Sequence, residues 1–256
     1  MRSRIFNARG AFGLLAAIGI WHSLSNSTLY NSKLFPGPVV VFTALAEMIA
    51  SNIWFHDVSS SMGRYFAGYI IGALLGVSLG VTTGSIRWFR DLVSPLMNFL
   101  RGTPSVALIP LAIVWFGIGD TEKIFVISWG VLFPIWLNTQ AGIAEVDKHL
   151  IWAAKSLGAS QMRIHLEIFL LGALPYILAG GRMAIATGFF ALAAAEMAGA
   201  FNGVAFRVFH SHQMFRTDRM LASIFTIGLL GIGLDYAFVR FWRWRLPWWS
   251  PDDNKV

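Results

Sequence analysis

The sequence predicts an all-α membrane protein, and three observations carry that. Its 256 residues are 56% hydrophobic and 13% charged, about half the ~25% charged fraction usual for a soluble domain. Several windows of about 20 residues, the length that crosses a bilayer, hold almost no charge. Lys and Arg are distributed unequally between alternate connecting segments, as in polytopic membrane proteins. A large soluble protein with a rich core does not leave windows of that kind.

Six crossings are expected, over 10–28, 63–84, 92–117, 123–143, 172–197 and 220–241. The first follows Arg2, Arg4 and Arg9 and resembles a secretion signal, but no clean small-x-small cleavage site follows, so it reads as a retained span. Segment 35–52 is too short and too interrupted to cross. It opens Phe35-Pro36-Gly37-Pro38, and Pro38 suits the first turn of a helix; an interfacial helix is expected there.

The second crossing has its polar edge at Arg64. It carries Gly68, Gly72, Gly76, Gly80 and Gly84, a stripe without side chains along one helix face. Such a stripe admits another helix at close range. It serves either tight packing within the bundle or sliding in a moving helix. The third crossing is interrupted by Arg101, Gly102 and Pro104. The fourth and fifth are joined by a long polar loop, 144–171. The last ends in Trp242, Trp244, Trp248 and Trp249, residues that suit a membrane–water interface.

This divides the chain into a terminal span with interfacial helix (1–62), a transmembrane core (63–245) and a tail (246–256). With the N-terminus inside, Arg2, Arg4, Arg9, Arg87, Arg90, Lys148, Lys155, Arg163, Arg240, Arg243, Arg245 and Lys255 fall inside. Only Lys33, Lys123, Arg207, Arg216 and Arg219 fall outside. Both termini are therefore expected on the cytoplasmic side. The formal charge of +7 follows from that topology and from lipid head groups. It requires no nucleic acid.

Arg101 lies in the third crossing at a depth of roughly 15 Å, at 1.5 Å rise per residue. Arg182 lies beyond Pro175 in the fifth. Charges at depth are costly and face a cavity or a partner. Thr103 and Pro104 loosen the backbone beside Arg101, which is tolerated only where it is buried or wet. Two readings fit: a cationic lining for an anion pathway, or structural pairing with Glu196, Asp91 or Asp235.

In the inner loop, Gly158 divides a polar, helical stretch in two. Ala153, Ala154 and Leu157 form a small apolar face; Lys155, Arg163, His165 and Glu167 supply polar contacts. Such a helix either fits a groove in a soluble partner or lies on lipid.

Enzymatic motifs are absent. The chain contains no phosphate-binding loop G-x-x-x-x-G-K-[ST], no G-x-S-x-G and no H-E-x-x-H. Without cysteine it has no disulfide or thiolate chemistry. His210 and His212, two apart, do not share a helix face and read as surface histidines rather than metal ligands.

The inner loop resembles the EAA loop of binding-protein-dependent ABC transporter permeases, whose pattern is E-A-A-x3-G-x9-I-x-L-P. Ala153, Ala154, Gly158, Ile168 and Leu170 stand at matching positions; Trp152 replaces the usual Glu, and Leu171 the proline. Arg101-Gly102-Thr103-Pro104, Ala107-Leu108-Ile109-Pro110, Trp115-Phe116-Gly117-Ile118-Gly119-Asp120, Phe133-Pro134-Ile135 and Ala195-Glu196 are similar to the branch that imports aliphatic sulfonates, taurine, nitrate and like anions.

The resemblance implies a type I importer permease fold in a bacterial inner membrane, with a cytoplasmic coupling helix pair. It also implies a second copy of this subunit, two cytoplasmic ATPases that bind the ATP and Mg, and a periplasmic solute-binding protein. Trp152, Ala153, Ala154, Lys155, Leu157, Gly158 and Arg163 are then expected to couple to the ATPase. Arg101, Thr103, Pro104, Arg182 and Glu196 are expected along the translocation pathway. No cofactor is expected in this chain. The competing reading is an ion-coupled carrier or channel that needs no ATPase.

Overall fold

A computed structural model describes residues 8–27 and 34–249. Among these the regular structure is entirely helical: α1 (Ala8–Ser25), α2 (Pro38–Ala50), α3 (Ile53–Ser85), α4 (Arg87–Arg101), α5 (Ile109–Phe116), α6 (Asp120–Ala144), α7 (Lys148–Ser156), α8 (Gln161–Arg163), α9 (Leu170–Gly172), α10 (Leu174–Gly199), α11 (Val204–Gln213) and α12 (Thr217–Arg245). Of these, α3, α6, α10 and α12 are each long and apolar enough to cross a bilayer.

The glycine stripe sets the core. A Cβ on Gly68, Gly72, Gly76, Gly80 or Gly84 would meet Ile127, Val131, Ile135, Thr139 or Ile143 of α6, at 2.4–3.0 Å. The pairs keep one constant offset, so α3 and α6 run parallel in register, backbone against backbone. Tyr65 and Val131 join Ile127 and Ile135 in the main buried cluster between α3, α6 and α10. α10 runs against α6: Gly180 meets Pro134 and Ile135 at one level, and Gly188 meets Val131 at another. α12 runs against α10, through Arg182–Asp235 and Gly231–Phe189.

Parallel packing of α3 on α6 requires the chain between them to return along the bundle. α3 ends at Gly84, beside Ile143 at the end of α6, yet Asp120 at the start of α6 bonds Arg64 near the start of α3. From Arg64 to Gly84 is roughly 30 Å of helix. Residues 87–116 make that return, so the third expected crossing exists but is broken, not straight. α4 meets the following 3-10 turn and α5 at 88°. The break falls at Gly102, Thr103 and Pro104, where Pro104 cannot continue the hydrogen-bond ladder.

Two expectations need correction. The second crossing does not begin at 63. α3 is continuous from Ile53, and Arg64 is not its edge but lies inside it, 7% exposed. The polar run His56–Arg64 hides the helix start because its charges are satisfied by partners remote in sequence. Among the described residues five crossings are supported by length and apolarity, counting the bent pair as one; the first expected crossing, 10–28, extends beyond them. The described apolar part of α1 is Leu15–Ser25, shorter than a bilayer needs, and position 28 lies outside the described residues. Within the outer loop, 204–213 forms α11.

Segment 35–52 holds a helix where one was expected, with Pro38 at the first turn of α2. Val41 and Met48 of α2 pack on Ala222 of α12. Asn52, in the left-handed region at φ 59°, turns the chain from α2 into α3. Asn tolerates that conformation better than most residues. The charged termini that oriented the chain, 1–7 and 250–256, lie outside the described residues.

Candidate functional site

The two ends of the bundle differ chemically. At the Arg64 end, buried charges pin four helices together. Arg64 donates from a terminal guanidinium nitrogen to Glu196 Oε1 at 2.9 Å. It also donates from Nε to Asp120 at 2.6 Å and from the same terminal nitrogen to the Asn202 carbonyl at 2.8 Å. Ser61 Oγ donates to Glu196 Oε1 at 2.7 Å, and the Ala205 amide donates to Glu196 Oε2 at 3.0 Å. Glu196 is 1% exposed, and both its oxygens are satisfied.

Gly203 makes this packing possible. Its φ is +125°, and a Cβ there would lie 2.4 Å from Glu196 Oε1. Only glycine fits both the backbone and the space. Its amide donates to Asp57 Oδ1, whose carboxylate also takes two bonds from Arg207, at 2.7 and 3.2 Å. One level across, buried Lys123 bonds Glu122 Oε1 at 2.6 Å and the carbonyls of Gly119 and Gly199. Burying these charges without partners would cost several kcal/mol per ion. The network is therefore specific to one arrangement of α3, α6, α10 and α11.

At the Gly84 end, Arg90 caps α3 by donating to the carbonyls of Thr83 and Gly84. The polar loop then departs from α6. Asp147 caps α7, accepting from the His149 amide at 2.8 Å. The helix stops at Gly158 (φ +79°). The Gly158 amide bonds the Lys155 carbonyl, and the Ala159 amide bonds that of Ala154. This is the glycine-terminated Schellman arrangement. Ser160 restarts the chain as α8, followed by a π-helical turn, Ile164–Phe169. His165 touches Ser85 Oγ at 3.1 Å, which holds the returning strand of this loop to α3.

The residues expected to couple sit together here. Trp152, Ala153, Lys155, Leu157, Gly158 and Arg163 are exposed, and Ala154 is half-buried. Leu157 is 87% exposed, and Arg163 is held by Glu167 through an i,i+4 pair. α7 is thus an ordered, capped helix with the Trp152 and Leu157 side chains exposed.

The residues expected along the pathway do not sit together. Arg101 is exposed at the end of α4 and has no hydrogen bond or ion pair among the described residues. Thr103 and Pro104 form the break beside it. Arg182 is half-exposed and forks onto Asp235 at 2.7 and 2.9 Å. Glu196 is locked into the Arg64 end. Sequence reasoning missed Asp57, Ser61, Arg64, Lys123 and Arg207 as one network. Its only signal was the density of polar residues at the expected edges of crossings.

A bundle of parallel and antiparallel crossings, pinned at one end and presenting a capped, exposed helix at the other, is the build of a transport permease. Residues 70–244 match the family model described as binding-protein-dependent transport system inner membrane component. The chain belongs to that family.

Its relatives include SsuC of Escherichia coli K12, a permease protein assigned to aliphatic sulfonate transport. It is 34% identical over 90% of this chain and 88% of that one. The taurine transport permease TauC of the same organism is 30% identical over 93% and 89%. The bicarbonate transport permease CmpB of Synechococcus elongatus is 29% identical over 92% and 87%. In fold, the chain resembles the inward-facing MetNI methionine ABC transporter, with TM-score 0.61 and 23% identity over 77% of this chain and 96% of that one.

Proposed function

We propose that this chain is the permease subunit of an ATP-driven importer for a small anion such as a sulfonate, taurine or nitrate. Two copies of it would form the pathway. Two cytoplasmic ATPases, which bind ATP and Mg, would drive it, and a periplasmic solute-binding protein would deliver the solute. The relatives that carry sulfonates, taurine and bicarbonate support the anion class.

The observation that carries the reading is α7, ordered, capped at both ends and outward-facing, at the end of the bundle opposite the buried charge network. Leu157 forms its apolar knob, with Ala153 and Ala154 small on the same side and Trp152 exposed beside them. Lys155 and Arg163 rim it with positive charge. Trp152 replaces the family Glu by apolar contact in the ATPase groove. That end faces the cytoplasm, as do both termini. ATP-driven closure of the ATPases moves α7, and the core helices tilt as a body because the Arg64 network holds their far ends together.

Along the pathway, Arg101 attracts the anion and Thr103 and Pro104 shape the break. Arg182 is positioned by Asp235, and Glu196 holds the outer gate. The division at 62/63 between an N-terminal part and the transmembrane core falls inside α3. It therefore marks a functional boundary and not a break in the helix. A carrier or channel working alone finds no support in a helix of this kind. Co-purification tests the reading: ATPase should be captured with the wild-type chain and released by Gly158→Asp. Retention at wild-type stoichiometry would oppose it.

A further inference from the structure

α4 is the most one-sided helix in the chain. At 100° per residue, Arg87, Asp91, Ser94, Asn98 and Arg101 fall on a single narrow arc that runs its whole length. A second arc, Val93, Met97 and Leu100, packs against Phe133 and Trp136 of α6. A third is apolar and outward: Trp88, Leu92, Leu96 and Phe99 are 57–75% exposed. A helix that only filled space in a membrane has no reason for the first arc, since every polar group there is costly against lipid.

The polar arc borders a groove of about 420 Å³ between α4 and α6. Asp91, Ser94 and Asn98 line it from α4, and Gln140 lines it from α6. Its volume falls in the ~300–1,000 Å³ range of small-molecule sites. Ser94 Oγ is buried and has no hydrogen-bond partner among the described residues. Arg101 stands one turn beyond Asn98 on the same arc, uncommitted. Arg90 also borders the groove, but its guanidinium is engaged by the carbonyls that end α3.

The geometry points to this groove as the solute-binding track of the inner half of the pathway, for an oxyanion-bearing solute. It rests on the anion-import reading and adds the residues that would contact the solute there. Ser94, Asn98 and Gln140 supply neutral hydrogen bonds to oxyanion oxygens. Arg101 supplies the positive charge at the deep end. Asp91 lies roughly 15 Å away, at 1.5 Å rise per residue. It stands toward the inner mouth, where a carboxylate loosens an anion's hold and favours release. Neutral donors with one deep cation bind an anion without trapping it, as passage requires.

The natural absence of cysteine makes the test direct. Asn98→Cys, Gln140→Cys and, on the outward apolar arc, Leu92→Cys are made singly in the full transporter with its ATPases and binding protein, in proteoliposomes. Each is reacted with an anionic (sulfonatoethyl) and a cationic (aminoethyl) methanethiosulfonate. Positions 98 and 140 should favour the anionic reagent over the cationic by roughly tenfold or more, the lower end of what a focused potential gives. Arg101→Ala should abolish that preference, and position 92 should show none.

Equal rates with both reagents would overturn the proposal. So would no reaction at 98 and 140, as when a second copy of the chain seals the groove. If either result came with intact ATP-driven sulfonate uptake, the track would fall while the import reading stood. Absence of ATP-driven anion uptake by the cysteine-free parent would remove the import reading and this inference together.

Discussion

Arg64 and Glu196, far apart in sequence, meet at 2.9 Å in a buried pair that joins the start of α3 to the end of α10. Ser61, Asn202 and the Ala205 amide complete their hydrogen bonds. The pair ties the end of α10 to the first half of α3, and with Asp120 it ties in a third crossing. Its significance is positional: removing Arg64 strands Glu196, whereas Arg64 keeps Asp120.

Arg64→Ala should therefore destabilise the detergent-purified protein by about 3–5 kcal/mol, the cost of leaving buried Glu196 without a counter-charge, and Glu196→Ala should cost less, because Asp120 still pairs Arg64. The double variant Arg64→Ala/Glu196→Ala should cost less than the two single changes summed, since the stranded charge is gone. Denaturant or thermal unfolding of the four proteins checks this. Additive losses would show that the two residues act separately.

The glycine stripe gives a sharper contrast. Gly80→Ala would put a Cβ 2.4 Å from that of Thr139 and should cost about 1–3 kcal/mol through overpacking and helix displacement. Gly63→Ala, on the same helix with nothing within 4 Å, should be neutral or stabilising by up to ~1 kcal/mol through helix propensity. Thermal stability of the pair reads the difference directly.

At the docking helix, Gly158→Ala forces an L side chain into a left-handed backbone at φ +79°, at a cost of roughly 1–2 kcal/mol. Trp152→Ala and Leu157→Asp alter exposed side chains and should leave the melting temperature of the chain unchanged. Both should nevertheless weaken ATPase co-purification. Loss of ATPase with loss of folding would instead make these residues structural.

Arg182 and Asp235 provide a control of the opposite kind. Both are about 40% exposed; where a wet pathway supplies water to screen them, the pair contributes in the ~0–1 kcal/mol range of exposed ion pairs. Asp235→Asn should change stability little. If Arg182 serves the pathway, the variant should alter solute affinity in an uptake assay.

Much of the architecture was legible because it depends on local pattern. Pro38 marked the start of α2, the four-residue glycine spacing marked the face that α6 packs on, and Gly102–Pro104 marked the break in the third crossing. Gly158 marked the end of α7 because only a left-handed cap places glycine there so naturally. Hydropathy failed where polarity was compensated from afar. Asp57, Ser61 and Arg64 resemble a loop until Glu196, Asn202 and Arg207 are placed beside them, so α3 seemed to begin a full three turns late. The bend after α4 has a local cause but no local angle, since its 88° depends on how α5 packs against α6. The polar arc of α4 was present in the periodicity, yet only its charged members Arg87, Asp91 and Arg101 drew notice, because a charge stands out more than the neutral Ser94 and Asn98 between them.

The central claim is that this permease is driven from outside itself, through the helix that ends at Gly158. The most direct measurement is anion uptake into proteoliposomes holding the chain alone, the chain with its ATPases and binding protein, and the same complex with Leu157→Asp. The account predicts uptake only in the second, and only with ATP. Full-rate uptake by the chain alone, or by the Leu157→Asp complex, would contradict it.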